Sequence, residues 1–297
     1  MSENKKILHR ATAVMVKGIL LSVDIASNID AICAFRPDPS DLLIASYPKS
    51  GTSWILEIVD LLLHNGDAKI CRRAPLSMRV PFLEMSDRLG SQPGLDMLKE
   101  MNPPRIIKTH LPFQLIPSGF WENKCKTIYV TRNAKDTVVS FYQFQQMNLS
   151  STDPGSWEGY LQRFIHGGWL YGPWYDHVKG YWEERKKRNI LYVFYEDMKE
   201  NLCREVTRIM RYLDLSLSDD VINRIVDLTT FNNMKDNPMA NYTFVPKEIF
   251  DTSISSYMRK GEVGDWKNHF TPQQSAEFDK VYETKMKEVN IPFRTEL

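Results

Sequence analysis

The stretch DLLIASYPKSGTSWILEIVDLLL, residues 41–63, decides how this chain is read. It begins with Leu42, Leu43, Ile44 and Ala45, an apolar run too short for a globular helix and suited to a buried parallel strand. Tyr47 to Ser53 follow as a loop of small and hydroxyl residues around one lysine, Lys49. Trp54, Ile55, Ile58, Val59, Leu61 and Leu62 then recur at helical spacing, leaving Glu57 and Asp60 for the polar side. Strand, small-residue loop and helix together aim backbone N–H groups and a helix N-terminus at an anion. Lys49 precedes Gly51, so this is not the nucleotide-binding pattern G-x-x-x-x-G-K-S/T. A tight turn with an exposed lysine fits the loop equally well, and the rest of the chain has to choose.

With 297 residues, 42% of them hydrophobic, the chain can bury a large α/β core. A net charge of +1 provides no global field for nucleic acid or an anionic membrane, so an anion site must be local. Cys33, Cys71, Cys125 and Cys203 form no C-x-x-C pair and read as reduced thiols, not as a disulfide framework or a zinc site. The charged start MSENKKILHR and the apolar stretch Ala11 to Ile25, interrupted by Lys17 and Asp24, predict an N-terminal helix rather than a membrane span or cleaved leader. The expected location is the cytoplasm.

Between Leu62 and Arg105 the periodicity is broken by Gly66, Pro75, Pro81, Gly90, Pro93, Gly94, Pro103 and Pro104, which predicts a loop-rich insertion. A strand starts at Arg105 and ends at Pro112, placing Lys108 and His110 on one side near its carboxyl end. Open parallel sheets bind ligands at that end, where a histidine is a candidate general base. Thr127 to Val130 is a further strand, with Arg132 just past it and a helix from Asp136 to Met147 carrying Ser140. Gly155 to Arg188 is helical in outline and dense in rings; Ile190 to Phe194 is a strand, and Lys199 to Leu213 and Ser218 to Leu228 are amphipathic helices. The chain is irregular from Thr229 to Ser256. Arg259, Lys260, Gly261 and Gly264 then make a loop with anion-binding potential, and Pro272 to Val289 is a closing helix. Taken singly, Arg132 reads as a surface ion pair, Ser140 as a plain helix serine and Arg259–Lys260 as a basic turn. Without repeats or a low-complexity linker, residues 1–297 are expected to be one α/β domain with a mostly parallel central sheet flanked by helices: 1–40 the approach, 41–297 the core.

Five segments, YPKSGTSW at 47–54, PRIIKTHLP at 104–112, YVTRNAKDTVVSFY at 129–142, FYEDMKEN at 194–201 and RKGEVGDWKNHF at 259–270, closely resemble the cytosolic sulfotransferases, most of all the branch that sulfates phenols. The resemblance runs from about residue 35 to the FRTEL ending. It implies 3′-phosphoadenosine-5′-phosphosulfate (PAPS) as donor, its product PAP, no metal, and a small hydroxylated acceptor. It implies a P-loop-like cradle of Lys49, Ser50, Gly51, Thr52 and Ser53 for the 5′-phosphosulfate. Arg132, Ser140, Arg259, Lys260 and Gly261 would hold the 3′-phosphate, with Trp54, Tyr195, Thr229 and Phe231 around the adenosine. His110 would be the base, Lys49 and Lys108 the transition-state cations, and Ser140 a restraint on Lys49. Phe82, Phe144, Tyr171, Tyr242 and Ile249, with Lys108 and His110, sit where the family lines its acceptor site.

The family's dimer pattern K-x-x-x-T-V-x-x-x-E keeps Lys267 and Thr271 here but has Pro272 for Val and Ala276 for Glu. Proline removes a backbone donor, so the usual homodimer is not assumed. Two other readings stay open: a nucleotide kinase, disfavoured by the missing Lys-Ser/Thr and the lack of a paired magnesium-binding acid, and a catalytically silent binder of PAP or of a hydrophobic hydroxylated ligand. Lys49, Lys108, His110 and Ser140 all being present argues against silence.

Overall fold

Neighbouring residues of the Leu42–Ser46 strand are all buried, which requires a sheet covered on both faces. In the computed structural model, which describes residues 10–86 and 92–297, two short strands, β1 (Ala13–Val16) and β2 (Ile19–Ser22), precede four longer-range partners. These are β3 (Leu42–Ser46), β4 (Ile106–Thr109), β5 (Lys126–Thr131) and β6 (Ile190–Phe194), in the order β4-β3-β5-β6 and all parallel. Leu42 pairs with Ile106 on one side and Lys126 on the other, so β3 has neighbours on both edges. The chain leaves β3 for β4 and then crosses back to β5. A crevice opens at the carboxyl end of a strand where the order reverses in this way.

Leu43, Ala45, Ile107 and Tyr129 face α2 (Ala134–Met147), α3 (Trp157–Ile165), α4 (Trp174–Glu184) and α7 (Pro272–Met286). Leu42, Ile44, Ile106, Ile128 and Val193 face α1 (Thr52–Leu63), α5 (Leu202–Tyr212) and α6 (Asp219–Leu228). At the amino end of the sheet Asp41 accepts from the Arg105 backbone and guanidinium at 3.0 Å (N), 3.0 Å (Nε) and 2.6 Å (Nη2), tying β3 to β4. That leaves the carboxyl ends for chemistry.

Several expectations need correcting. Ala11 to Ile25 is not a helix: β1 and β2 form an antiparallel hairpin, with Lys17 (φ 48°) and Gly18 (φ 80°) as its two turn residues, and short helices Val23–Ser27 and Ile29–Cys33 follow. Two successive positive φ values are what a tight hairpin turn demands. Ile19 and Leu21 alternate into the core while Met15 stays exposed. The start of the chain through residue 9, and Gly90, lie outside the described residues. Glu57 and Asp60 are not solvated but buried, because Arg79 from the 62–105 insertion pairs with both. The predicted helix 199–213 is split at Asn201, whose side chain caps α5 by accepting from the Arg204 N–H at 3.0 Å. The irregular stretch after Thr229 contains a helix, Phe231–Asp236. The closing helix does start at Pro272, as the sequence suggests, and ends at Met286: Thr271 caps α7 with Gln274 in a capping box and Pro272 takes the first helical turn, where its missing N–H costs nothing. No helix among the described residues is long and apolar enough to cross a membrane.

Candidate active site

Each strand of the sheet delivers a polar side chain or loop to the same end. The loop after β3 carries Lys49, His110 follows β4, Arg132 follows β5 and Tyr195 follows β6. They meet in a cavity of about 1000 Å³ whose wall includes Lys49, Gly51, Thr52, Ser53, Trp54, Lys108, His110, Arg132, Ser140 and Tyr195. Phe82, Phe144, Tyr171, Thr229, Phe231, Tyr242, Ile249, Arg259, Lys260 and Gly261 also line it. Of the residues expected at the site, only Ser50 is not part of this wall; it is fully buried beneath the loop.

The His110 ring is oriented by β3. Its Nδ1 lies 2.8 Å from the Ser46 carbonyl, which can only accept, so Nδ1 carries the proton and Nε2 keeps its lone pair. Burial, with Lys108 next and His177 and Lys49 behind it, holds the ring's pKa well below its ordinary value, the Ser46 carbonyl opposing them. Phe82 and Tyr171 pack edge-on against the ring at 5.1 and 5.7 Å. The imidazole is therefore neutral, aimed and ready to accept a proton.

Two lysines flank it. Burial first, then Lys108, Arg132 and Arg259, push Lys49 down to about 7, while burial pushes Lys108 to about 8 against the pull of Glu84. Such crowding of cations marks an anion site. Lys49 also has φ 68°, and the bulky Tyr171 (φ 67°) and Tyr242 (φ 61°) share that left-handed region. Strained backbone of this kind collects at functional sites.

A second cationic cluster lies on the 259–261 loop. Asp265 bonds Arg259 and Lys260; burial raises its carboxyl, but Lys260, Asn268 and Arg259 hold it well below the usual range. Asp136, at the start of α2, accepts from the Gly264 and Trp266 N–H groups at 2.8 and 3.0 Å and so docks this loop beside Arg132. Arg132 donates to the Glu262 carbonyl at 2.6 Å and stacks its guanidinium 4.4 Å from the centre of the Tyr195 ring. Trp54 donates to the Thr229 carbonyl at 2.7 Å and meets Tyr195 edge-on at 5.4 Å. Gly261 is required twice: its φ is 68°, and a Cβ there would lie 2.1 Å from the Phe231 ring.

Sequence reasoning missed four supports. Ser46 accepts from His110; Glu84, whose carboxyl burial pushes up to about 7, accepts from the His110 N–H at 2.6 Å and from Thr109 at 2.9 Å. Asp265 holds the basic loop, and Tyr257 lies over Lys49. Glu84 sits in a stretch without periodicity and left no signal. Tyr257, two residues before Arg259, was findable by proximity. Asp60, His64 and Cys71 bring ligand-type atoms within 4.8 Å of one another, but Arg73 and Arg79 already pair with the Asp60 carboxylate, which suits guanidinium and not a metal.

Residues 39–290 match a family model described as the sulfotransferase domain. Sulfotransferase 1 family member D1 of Rattus norvegicus is 48% identical over 295 residues, 99% of this chain and 100% of that protein. Mouse sulfotransferase SULT7A1, solved complexed with PAP, has a TM-score of 0.76 at 30% identity, covering 94% of this chain and 96% of its own. Retinol dehydratase, solved with androsterone and inactive cofactor PAP, has a TM-score of 0.87 at 23% identity over 95% and 92% of the two chains, a likeness of fold alone.

Proposed function

The chain belongs to the sulfotransferase family, and from that premise we propose that it transfers the sulfonate of PAPS to the hydroxyl of a small phenolic acceptor. The observation that carries this reading is one cavity holding a neutral, oriented His110 between Lys49 and Lys108. The residues fit the donor. Among the described residues, Ser50 Oγ, Arg132 Nε and Arg259 Nε are buried without a protein partner, and the lack of a Cβ at Gly51 and Gly261 lets the Tyr195 and Phe231 rings pack directly on the two loops. Lys49, Ser50, Gly51, Thr52 and Ser53 would hold the 5′-phosphosulfate; Arg132, Ser140, Arg259, Lys260 and Gly261 the 3′-phosphate; Trp54, Tyr195, Thr229 and Phe231 the adenosine.

The acceptor oxygen would bond to the donor's sulfur as the bond from that sulfur to the 5′-phosphate oxygen breaks, with PAP leaving. His110 takes the hydroxyl proton on Nε2, and the Ser46 carbonyl keeps Nδ1–H turned away from the acceptor. Lys49 and Lys108 offer positive charge where negative charge develops. Phe82, Phe144, Tyr171, Tyr242 and Ile249 form flat apolar walls suited to an aromatic ring.

The test is transfer of labelled sulfonate from PAPS to a panel of phenols, catechols, steroids and alcohols in EDTA. Labelled phenol products are expected. PAP bound without transfer to any acceptor would put the silent binder in front, and a magnesium requirement would overturn the assignment.

A further inference from the structure

Lys49 and Ser140 both line the cavity, and no hydrogen bond joins them among the described residues. The ammonium lies over two ring faces instead, with Nζ 4.2 Å from the centre of Tyr257 and 4.5 Å from that of Phe144. The two rings stand nearly perpendicular at 5.9 Å, so they form a corner around the charge. Aromatic faces attract a cation most strongly where water is excluded. The Tyr257 hydroxyl bonds the Ser53 Oγ at 2.8 Å, tying the ring to the first turn of α1. On its other side Tyr257 packs on Tyr242 at 4.2 Å and is parallel to Phe250 at 6.1 Å, both in the 236–256 segment.

We propose that Tyr257 is a positioning residue for Lys49: its ring, with that of Phe144, fixes the ammonium, and its hydroxyl anchors the ring to the donor loop. Tyr257 acts through the lysine and not on the reacting atoms, and the assignment rests on the sulfotransfer reading of Lys49. The groups facing Lys49 are Lys108 from β4, His110 just after it, Arg132 just after β5 and Arg259 from the basic loop. All but neutral His110 are cations that favour the free amine, and the rings oppose them by favouring the ammonium. Losing a ring face must therefore lower the pH at which Lys49 gives up its proton.

The test has one readout without turnover. Acetic anhydride labelling of the free protein, followed by mass spectrometry across pH, reads the reactivity midpoint of Lys49. Tyr257→Leu is expected to lower that midpoint by about half a pH unit, and Tyr257→Phe to leave it in place. In turnover, kcat falls roughly fivefold to thirtyfold in Tyr257→Leu and about twofold to threefold in Tyr257→Phe, while PAP affinity stays within about threefold in both. Should Tyr257→Leu fail to fold, Phe144→Leu removes the other face and carries the same expectation. An unchanged midpoint in the leucine variants, or equal kcat losses in Leu and Phe, overturns the proposal. If the wild-type protein transfers no sulfonate, the functional reading falls with it; if it does and the midpoint is unmoved, only the role of Tyr257 falls.

Discussion

Around residues 47–54 the cavity wall is backbone held at strand ends, whereas around Phe82, Tyr171 and Tyr242 it is made of rings carried by loops. The first wall inherits its geometry from the parallel register of β3, β4 and β5, locked at the far end by the Asp41–Arg105 pair. The second depends on segments remote in sequence that dock by their own backbone hydrogen bonds, such as the Tyr171 N–H to the Leu20 carbonyl at 2.8 Å and the Lys108 N–H to the Pro81 carbonyl at 2.9 Å. The wall fixed by the sheet therefore tolerates little change, while the wall of rings is free to vary with the loops that carry it, and on the proposed reading these are the donor and acceptor sides.

The sharpest break is His110→Ala, which sits where the two walls meet. It is expected to lower kcat about 10²- to 10⁴-fold, the usual worth of a positioned base, with PAP affinity nearly unchanged by calorimetry. A comparable loss of PAP binding would mean that His110 holds up the donor wall instead. Gly261→Ala attacks the donor wall alone. Its methyl would meet the Phe231 ring at a backbone φ of 68°, so PAP should bind roughly tenfold to a hundredfold more weakly while the ranking of acceptors stays the same. Wild-type affinity in this variant would show that the loop relaxes freely. Tyr242→Leu trims the acceptor wall and has the smallest effect. The KM for a phenol should rise about threefold to tenfold with the donor KM unaffected; equal movement of both would erase the distinction between the walls.

Much of the wall at the strand ends was legible because its signals are local. An apolar run followed by small residues, and a lysine and histidine two apart before a proline, describe strand ends whatever surrounds them. The hairpin at 13–22 was not legible, since its apolar residues also satisfy helical spacing and only the Lys17–Gly18 turn separates the two. Glu57 and Asp60 misled for a related reason. Their burial comes from Arg79, which lies 22 and 19 residues away in the sequence.

The four strands of the central sheet as segments of the chain, the strand–loop–helix unit at 42–62 and the residue types at the strand ends follow from the amino-acid sequence alone, because backbone conformation and side-chain alternation are set over a few neighbouring residues. Which nitrogen of His110 is free, which rings hold Lys49 and which carboxylates steady the basic loop were decided only by the tertiary structure. Those facts depend on the Ser46 carbonyl, on Tyr257 and Phe144, and on Asp136 coming within a few ångströms of groups far away in the sequence, and on the turn that brings Asp265 back onto Arg259 and Lys260.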